Sequence, residues 1–275
     1  MPSTDSAIPR PLFITFLIIA VVLIAGTSLF FAPALFGSHW PWPLKPFNGR
    51  FLGAVYCAEM VAVLLTLIYR SASSVRLSLA QSLVFSVVVT LASVIQIAQF
   101  DFSRPLVWVW FIVYVLAIIG FGYYWVRYPA LRAPVSDDSS LSVPARIYIL
   151  VQGIILGAYG FALFILPSQA SAFWPWKIDA FHAQVYSAIF LTGAVGNWLL
   201  YSSANRLELT TAGLTQVALA ALAILGLVLV DNDVHSVNWS ALGTWVWVGA
   251  FAWLTLGGLW IARHARQASS ASLVK

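Results

Sequence analysis

The chain carries few charged residues, and this shortage excludes an ordinary soluble domain. Only 8% of its 275 residues are Asp, Glu, Lys or Arg, whereas 61% are hydrophobic. Soluble domains are roughly 25% charged. A chain with so few charges contains long apolar stretches, and these need the hydrocarbon core of a bilayer, which about 20 apolar residues cross as a helix. The net charge of +5 comes without an arginine run or a basic helix face, so we predict no nucleic-acid partner.

Thiols and catalytic motifs are also scarce. The single cysteine, Cys57, lies inside an apolar run and can form neither an intrachain disulfide nor a multi-thiolate metal site. The sequence has no Gly-rich phosphate loop, no Gly-x-Ser-x-Gly elbow and no His-Glu-x-x-His pattern. We therefore predict no catalytic residue, no metal site and no cofactor, although the composition is compatible with a lipophilic ligand.

The tripeptide Trp-Pro-Trp occurs twice, at residues 40–42 and 174–176, which are 134 residues apart. Further identical residues align at this offset: Gly26 with Gly160, Pro33 with Pro167, and Phe47 with Phe181. A second repeated tripeptide, Trp-Val-Trp, occupies residues 108–110 and 245–247. Self-similarity of this kind indicates an internal duplication.

Eight apolar segments are predicted to be helices, at about residues 12–34, 50–69, 77–99, 105–126, 146–166, 183–203, 210–230 and 240–262. We therefore predict an all-α integral membrane protein with eight transmembrane helices, arranged as two tandem parallel four-helix repeats. The predicted domains are a first repeat at 1–128, a cytoplasmic linker rich in Pro, Asp and Ser at 129–145, and a second repeat with a short cytoplasmic tail at 146–275. The repeats are parallel because each has an even number of helices.

The orientation is predicted from the lysines and arginines on each side of the membrane. One side holds ten: Arg10, Arg70, Arg76, Arg127, Arg132, Arg146, Arg206, Arg263, Arg266 and Lys275. The other side holds four: Lys45, Arg50, Arg104 and Lys177. The richer side is expected to be cytoplasmic, so both termini are inside and both Trp-Pro-Trp motifs face the exterior. The short loops and the Ala-, Val- and Trp-rich spans favour a bacterial inner membrane.

Tryptophans are concentrated toward the predicted outer side. The candidate outer aromatic interface consists of Trp40, Trp42, Trp108, Trp110, Trp174, Trp176, Trp245 and Trp247. One interpretation is an aromatic belt, because the indole ring is apolar in its body and polar at its N–H group. The alternative interpretation is a stacking wall for a flat hydrophobic ligand.

Glu59 is the only acidic residue well inside a predicted span. An intramembrane carboxylate is costly unless it is protonated or paired, which makes it a candidate functional group. It aligns with Gly193 in the other half, so the duplicated fold does not itself require an acid.

Helix 3 offers polar neighbours for this acid. Ser78, Ser82, Ser86, Thr90, Ser93 and Gln96 lie within one 120° sector of that helix. Such a stripe fits either interhelical hydrogen bonding or a polar path beside Glu59. The segment at 210–230 carries polar residues near one end only, so the stripe belongs to the first half.

Two functions from different classes remain open. The first is a non-enzymatic membrane module: a scaffold, an accessory subunit of a membrane-protein partner, or a binder of a hydrophobic small molecule. The aromatic excess and the missing catalytic motifs favour it. The second is a transporter or permease for a small solute or a proton, using Glu59 and the polar face of helix 3. The scarcity of other intramembrane charge counts against it.

Overall fold

A computed structural model describes the backbone of residues 8–132 and 141–272, and the side chains of these residues except 73 and 266–272. It contains eight long helices: α1 Arg10–Phe31, α2 Pro46–Tyr69, α3 Ala72–Ile95, α4 Pro105–Arg127, α5 Val143–Ile165, α6 Ala180–Ser202, α7 Arg206–Val234 and α8 Leu242–Ser272. No β-strand occurs in the described ranges. Seven helices, all except α6, are long and apolar enough to cross a membrane. The all-α class is thus confirmed, and the seven apolar helices fit a multi-pass membrane protein.

Several helices begin earlier than the hydrophobicity pattern predicts, because their first turns contain proline or polar residues. Helix α2 begins at Pro46 rather than near residue 50, with proline in the first turn, where the missing N–H costs nothing. Helix α7 begins at Arg206 rather than 210. There the Asn205 side chain accepts from the backbone N–H of Glu208, and the Glu208 carboxylate accepts from that of Asn205. The early start brings Glu208 into the first turn of α7.

Helix boundaries recur at the spacing of the repeated tripeptides. Three pairs lie 134 residues apart: α1 ends at Phe31 and α5 at Ile165, short helices begin at Pro33 and Pro167, and α2 begins at Pro46 and α6 at Ala180. Both prolines follow a helix end, as expected for a residue that cannot continue a helix. Of the predicted linker, residues 133–140 lie outside the described residues, and Pro129–Leu131 forms a 3₁₀ turn whose Leu131 is buried.

Equivalent helices of the two halves make equivalent contacts, both within a half and across to the other half. Within each half, α1 packs on α2 and α5 on α6, while α3 packs on α4 and α7 on α8. Across the halves, α2 packs on α7 and α6 packs on α3. The halves are therefore interlocked, with the α1–α2 pair lying against α7–α8 and the α5–α6 pair against α3–α4.

Helix α6 lies alongside α3 over most of its length. At one end the Gln96 amide donates to Gln184 Oε1 over 2.8 Å, and at the other Arg76 donates to Ser203 Oγ over 2.6 Å. At about 1.5 Å per residue, residues 76 and 96 lie about 30 Å apart along α3. We call the end that holds both Trp-Pro-Trp motifs the tryptophan end, and the end that holds Arg76 the arginine end.

Candidate functional site

The tryptophan end is held together by two reciprocal hydrogen bonds. The Trp42 indole N–H donates to His182 Nε2 over 3.2 Å, and the Trp176 indole N–H donates to Asn48 Oδ1 over 2.8 Å. Asn48 and His182 align at the 134-residue offset, as do the two tryptophans. Each half therefore supplies one indole donor and one acceptor to the other half.

His182 is fixed in the tautomer that suits this role. Its Nδ1 lies 2.8 Å from Asp179 Oδ2, so Nδ1 carries the proton and donates, while Nε2 accepts from Trp42. Asp179 also caps α6 by accepting from the His182 backbone N–H. Partial burial opposes ionisation of Asp179, but the hydrogen bonds from His182 and the nearby charge of Lys45 outweigh it and lower the Asp179 pKa.

The eight tryptophans of the candidate outer aromatic interface divide into two groups. Five are buried in the protein: Trp42, Trp110, Trp174, Trp176 and Trp247. Trp40 is half-buried and packs against Trp42 and Tyr56 with ring centroids 5.8 Å apart. Only Trp108 and Trp245 are more than half exposed. Most of these indoles thus form a packed core at the tryptophan end, and two remain available to lipid or a partner.

Glu59 lies near the middle of α2, because that helix begins four residues before the predicted position. Its side chain lines two separate cavities, and among the described residues it has no hydrogen bond and no ion pair. The aligned position in the other half is Gly193, where an added Cβ would lie 2.9 Å from Leu156 Cδ1. In the second half, Leu156 therefore fills the space that a side chain at position 193, the equivalent of Glu59, would occupy.

The first cavity has a volume of about 430 Å³ and lies among α1, α2, α3 and α4. Its wall is mainly apolar and aromatic, with Leu23, Trp40, Tyr56, Phe85, Trp110 and Tyr114. Polar side chains are few: Thr15, His39, Glu59, Ser82, Ser86 and a Tyr56–Tyr114 hydroxyl pair 3.4 Å apart. A small number of polar groups in an apolar wall is typical of a site for a small organic ligand.

The mouth of this cavity faces outward between α1 and α4. Ile18 and Val22 on α1, and Val109 and Leu116 on α4, line the cavity and are exposed on the outer surface of the bundle. The matching gap in the second half is bridged by Tyr148 of α5, whose ring packs against Trp253 and Trp260 of α8. Tyr148 aligns with Ile14, whose side chain is exposed.

The second cavity has a volume of about 100 Å³ and lies between the two halves. Gln152 and Gln216 line it and are joined by a 2.7 Å hydrogen bond from the Gln152 amide nitrogen to Gln216 Oε1. Three buried oxygens on its wall have no protein partner: Gln152 Oε1, Thr192 Oγ1 and Thr215 Oγ1. An unpaired buried polar group costs about 1–3 kcal/mol, so this wall is built to meet a polar ligand.

The polar stripe of helix 3 divides between the cavities and ordinary packing bonds. Ser82 lines both cavities beside Glu59, and Ser86 lines the first. Toward the tryptophan end, Thr90 donates to the backbone carbonyl of Ser86, Ser93 accepts from Trp110, and Gln96 donates to Gln184. Only the half of the stripe near Glu59 thus belongs to a cavity.

A buried ion pair lies at the arginine end, where the sequence pattern places Arg76 only among the charges that flank a span. Arg76 Nε donates to Glu208 Oε1 over 2.7 Å, and Nη2 donates to Oε2 over 2.9 Å. The guanidinium also donates to Ser203 Oγ and to the backbone carbonyls of Leu199 and Ser203. The pattern Asn205-x-x-Glu208 resembles a capping box and could have indicated that α7 begins earlier.

Comparisons of the chain with protein families, with curated proteins and with solved structures found no match.

Proposed function

We propose that this protein is a non-enzymatic binding module for a lipophilic small molecule in a membrane, with the ligand held in the 430 Å³ cavity among α1 to α4. The observation that carries the proposal is a single carboxylate, Glu59, on the wall of a mainly apolar and aromatic cavity. Pockets of about 300–1,000 Å³ hold drug-sized ligands, oriented by a few polar groups. The ligand is expected to present an N–H, O–H or amine group to Glu59.

The bilayer is the expected source of the ligand. Exposed apolar side chains of α1 and α4 rim the mouth of the cavity, Ile18 and Leu116 among them. In a membrane these side chains would contact acyl chains, so a lipophilic molecule would reach Glu59 laterally without crossing water. In the second half the equivalent gap, between α5 and α8, is closed by the Tyr148 ring.

The membrane arrangement that goes with this function has eight spans and a pseudo-twofold axis between two parallel repeats. The reciprocal Trp42–His182 and Trp176–Asn48 bonds support the repeat. Helix α6 supports the eighth span, because it runs beside α3 over about 30 Å, which matches the hydrocarbon thickness. Its burial explains its lower apolarity, since the side chains of Ser187 and Asn197 are shielded by neighbouring helices. We place both termini in the cytoplasm and the protein in a bacterial inner membrane.

Binding of two matched probes tests the proposal. 1-Aminoanthracene carries an N–H donor for Glu59, and anthracene has the same ring system without it. The purified wild type should bind both probes, with a fluorescence change that saturates. Glu59→Gln should weaken aminoanthracene at least 10-fold relative to anthracene, because a charge-assisted bond becomes a neutral one. Saturable binding of neither probe, or equal weakening of both, would contradict the proposal.

A proton-coupled transporter is the second candidate, and the observation that favours it is the position of Glu59 on the walls of both cavities. A carboxylate that faces two compartments can exchange a proton between them. Proteoliposomes with a trapped pH-sensitive dye test this function. Proton flux above that of empty vesicles, lost in Glu59→Gln, would replace the binding proposal, whereas flux equal to that of empty vesicles would remove the transporter.

A further inference from the structure

Three residues that line the second cavity have a buried side-chain oxygen without a hydrogen-bond partner. The amide nitrogens of Gln152 and Gln216 donate to Gln216 Oε1 and to the backbone carbonyl of Leu254, over 2.7 and 2.6 Å. The oxygens of Gln152, Thr192 and Thr215 have no protein partner. Gln152 is completely buried, so bulk water does not reach its oxygen. Gln152 Oε1 can only accept, whereas the two threonine hydroxyls can accept or donate, so an electropositive ligand satisfies all three oxygens.

The only charged side chain among the described residues that line the cavity is acidic, which also favours a positively charged ligand. Glu59 brings a carboxylate to the wall, and no Lys, Arg or His lines the cavity within the described residues. A carboxylate in the middle of a membrane helix needs a counter-charge or a proton. One positive charge balances it, which favours a monovalent cation over a divalent one.

The cavity volume matches a small cation. About 100 Å³ accommodates roughly three water molecules, at about 30 Å³ each, or a cation with one or two waters. Hard cations prefer oxygen ligands from carboxylates, amides and hydroxyls. Glu59, Gln152, Thr192 and Thr215 provide these three chemical types from α2, α5, α6 and α7.

We propose that the second cavity is a binding site for a monovalent alkali cation, held between the Glu59 carboxylate and the oxygens of Gln152, Thr192 and Thr215. Because α2 belongs to one half and α5, α6 and α7 to the other, a bound cation links the two halves. The site shares Glu59, Val63 and Ser82 with the lipophilic cavity, but the oxygens of Gln152, Thr192 and Thr215 line the second cavity alone, and the site does not depend on the proposed ligand.

Thermal unfolding in detergent micelles tests the site with the cation alone. The wild type is compared in NaCl, KCl and choline chloride at equal ionic strength, without lipophilic ligand. A ligand that binds only the folded state raises the unfolding midpoint in a saturable way. We expect Na⁺ or K⁺ to raise the midpoint relative to choline, which is too large for the cavity. Glu59→Gln should abolish this difference.

Two threonines on α7 provide a matched pair of variants. Thr215 and Thr211 both have hydroxyls without a protein partner and lie one helical turn apart, but only Thr215 lines the cavity. Thr215→Val should lose most of the cation-dependent shift, and Thr211→Val should retain it. Equal midpoints in all three salts, or a shift that survives both Glu59→Gln and Thr215→Val, would overturn the proposal. A midpoint that responds to pH but not to the salt would show that the site takes a proton instead.

Discussion

Removing one acceptor at the tryptophan end should destabilise the protein in a way that depends on hydrogen bonding rather than on size. In His182→Ala the Trp42 indole N–H, on a side chain only 2% exposed, loses its acceptor. A buried donor left unpaired costs about 1–3 kcal/mol. His182→Asn should recover most of this loss, because Asn48 performs the same task for Trp176 over 2.8 Å.

A double-mutant cycle isolates the hydrogen bond. Trp42→Phe removes the donor, so His182→Ala should cost less in that background, and the coupling should be about 0.5–1.5 kcal/mol. The cycle with Trp176→Phe and Asn48→Ala should give coupling of the same sign. The assay is SDS titration in mixed micelles, followed by helical circular dichroism. Zero coupling in both cycles, or His182→Asn as unstable as His182→Ala, would refute the reciprocal arrangement.

Three further predictions concern other parts of the fold. Glu208→Ala should lower the free energy of unfolding by about 3–5 kcal/mol, because the buried Arg76 guanidinium loses its counter-charge. A loss under about 1 kcal/mol in the same SDS titration would contradict a buried ion pair. The Asp179 pKa is lowered in the folded state, so its stabilisation is present above the unfolded value of about 3.9 and is lost as the pH falls through the folded pKa. In Asp179→Asn the unfolding midpoint should depend less on pH below about pH 4 than in the wild type. An unchanged pH dependence would argue against the His182 contact. Gly213→Ala should cost about 1–3 kcal/mol, because its Cβ would lie 2.6 Å from a backbone oxygen of α8, whereas Gly249→Ala, with open space around it, should be neutral in thermal unfolding.

The repeated residues made several helix ends predictable from the sequence. Proline ends a helix through its own backbone geometry, so the helix ends near the prolines at 33 and 167 and near the two Trp-Pro-Trp motifs could be predicted. Asn48 and His182 align at the 134-residue offset although they are different residue types. In the structure both side chains accept from an indole N–H, which is a property shared by an amide oxygen and an unprotonated imidazole nitrogen.

The cavities and the buried ion pair could not be predicted from local patterns. A cavity volume depends on how four or more helices pack, and neither the spacing of Ser82 and Ser86 nor the apolar run around Glu59 contains that information. Arg76 was assigned to a loop because charged residues usually flank spans, whereas its partner Glu208 lies 132 positions away in sequence. Glu59, which contrasts with Gly193 in the aligned sequence, lines both cavities in the structure.

Native mass spectrometry of the gently purified protein tests the central claim most directly, with two lipid-facing variants as a matched pair. Val22 lines the first cavity and is exposed at its mouth, whereas the adjacent Val21 is exposed but does not line it. The account predicts that the wild type and Val21→Trp retain a lipophilic molecule, and that Val22→Trp, whose indole fills the mouth, has lost it. Retention of the same molecule by Val22→Trp, or no bound molecule in any of the three, would contradict a ligand site beside Glu59.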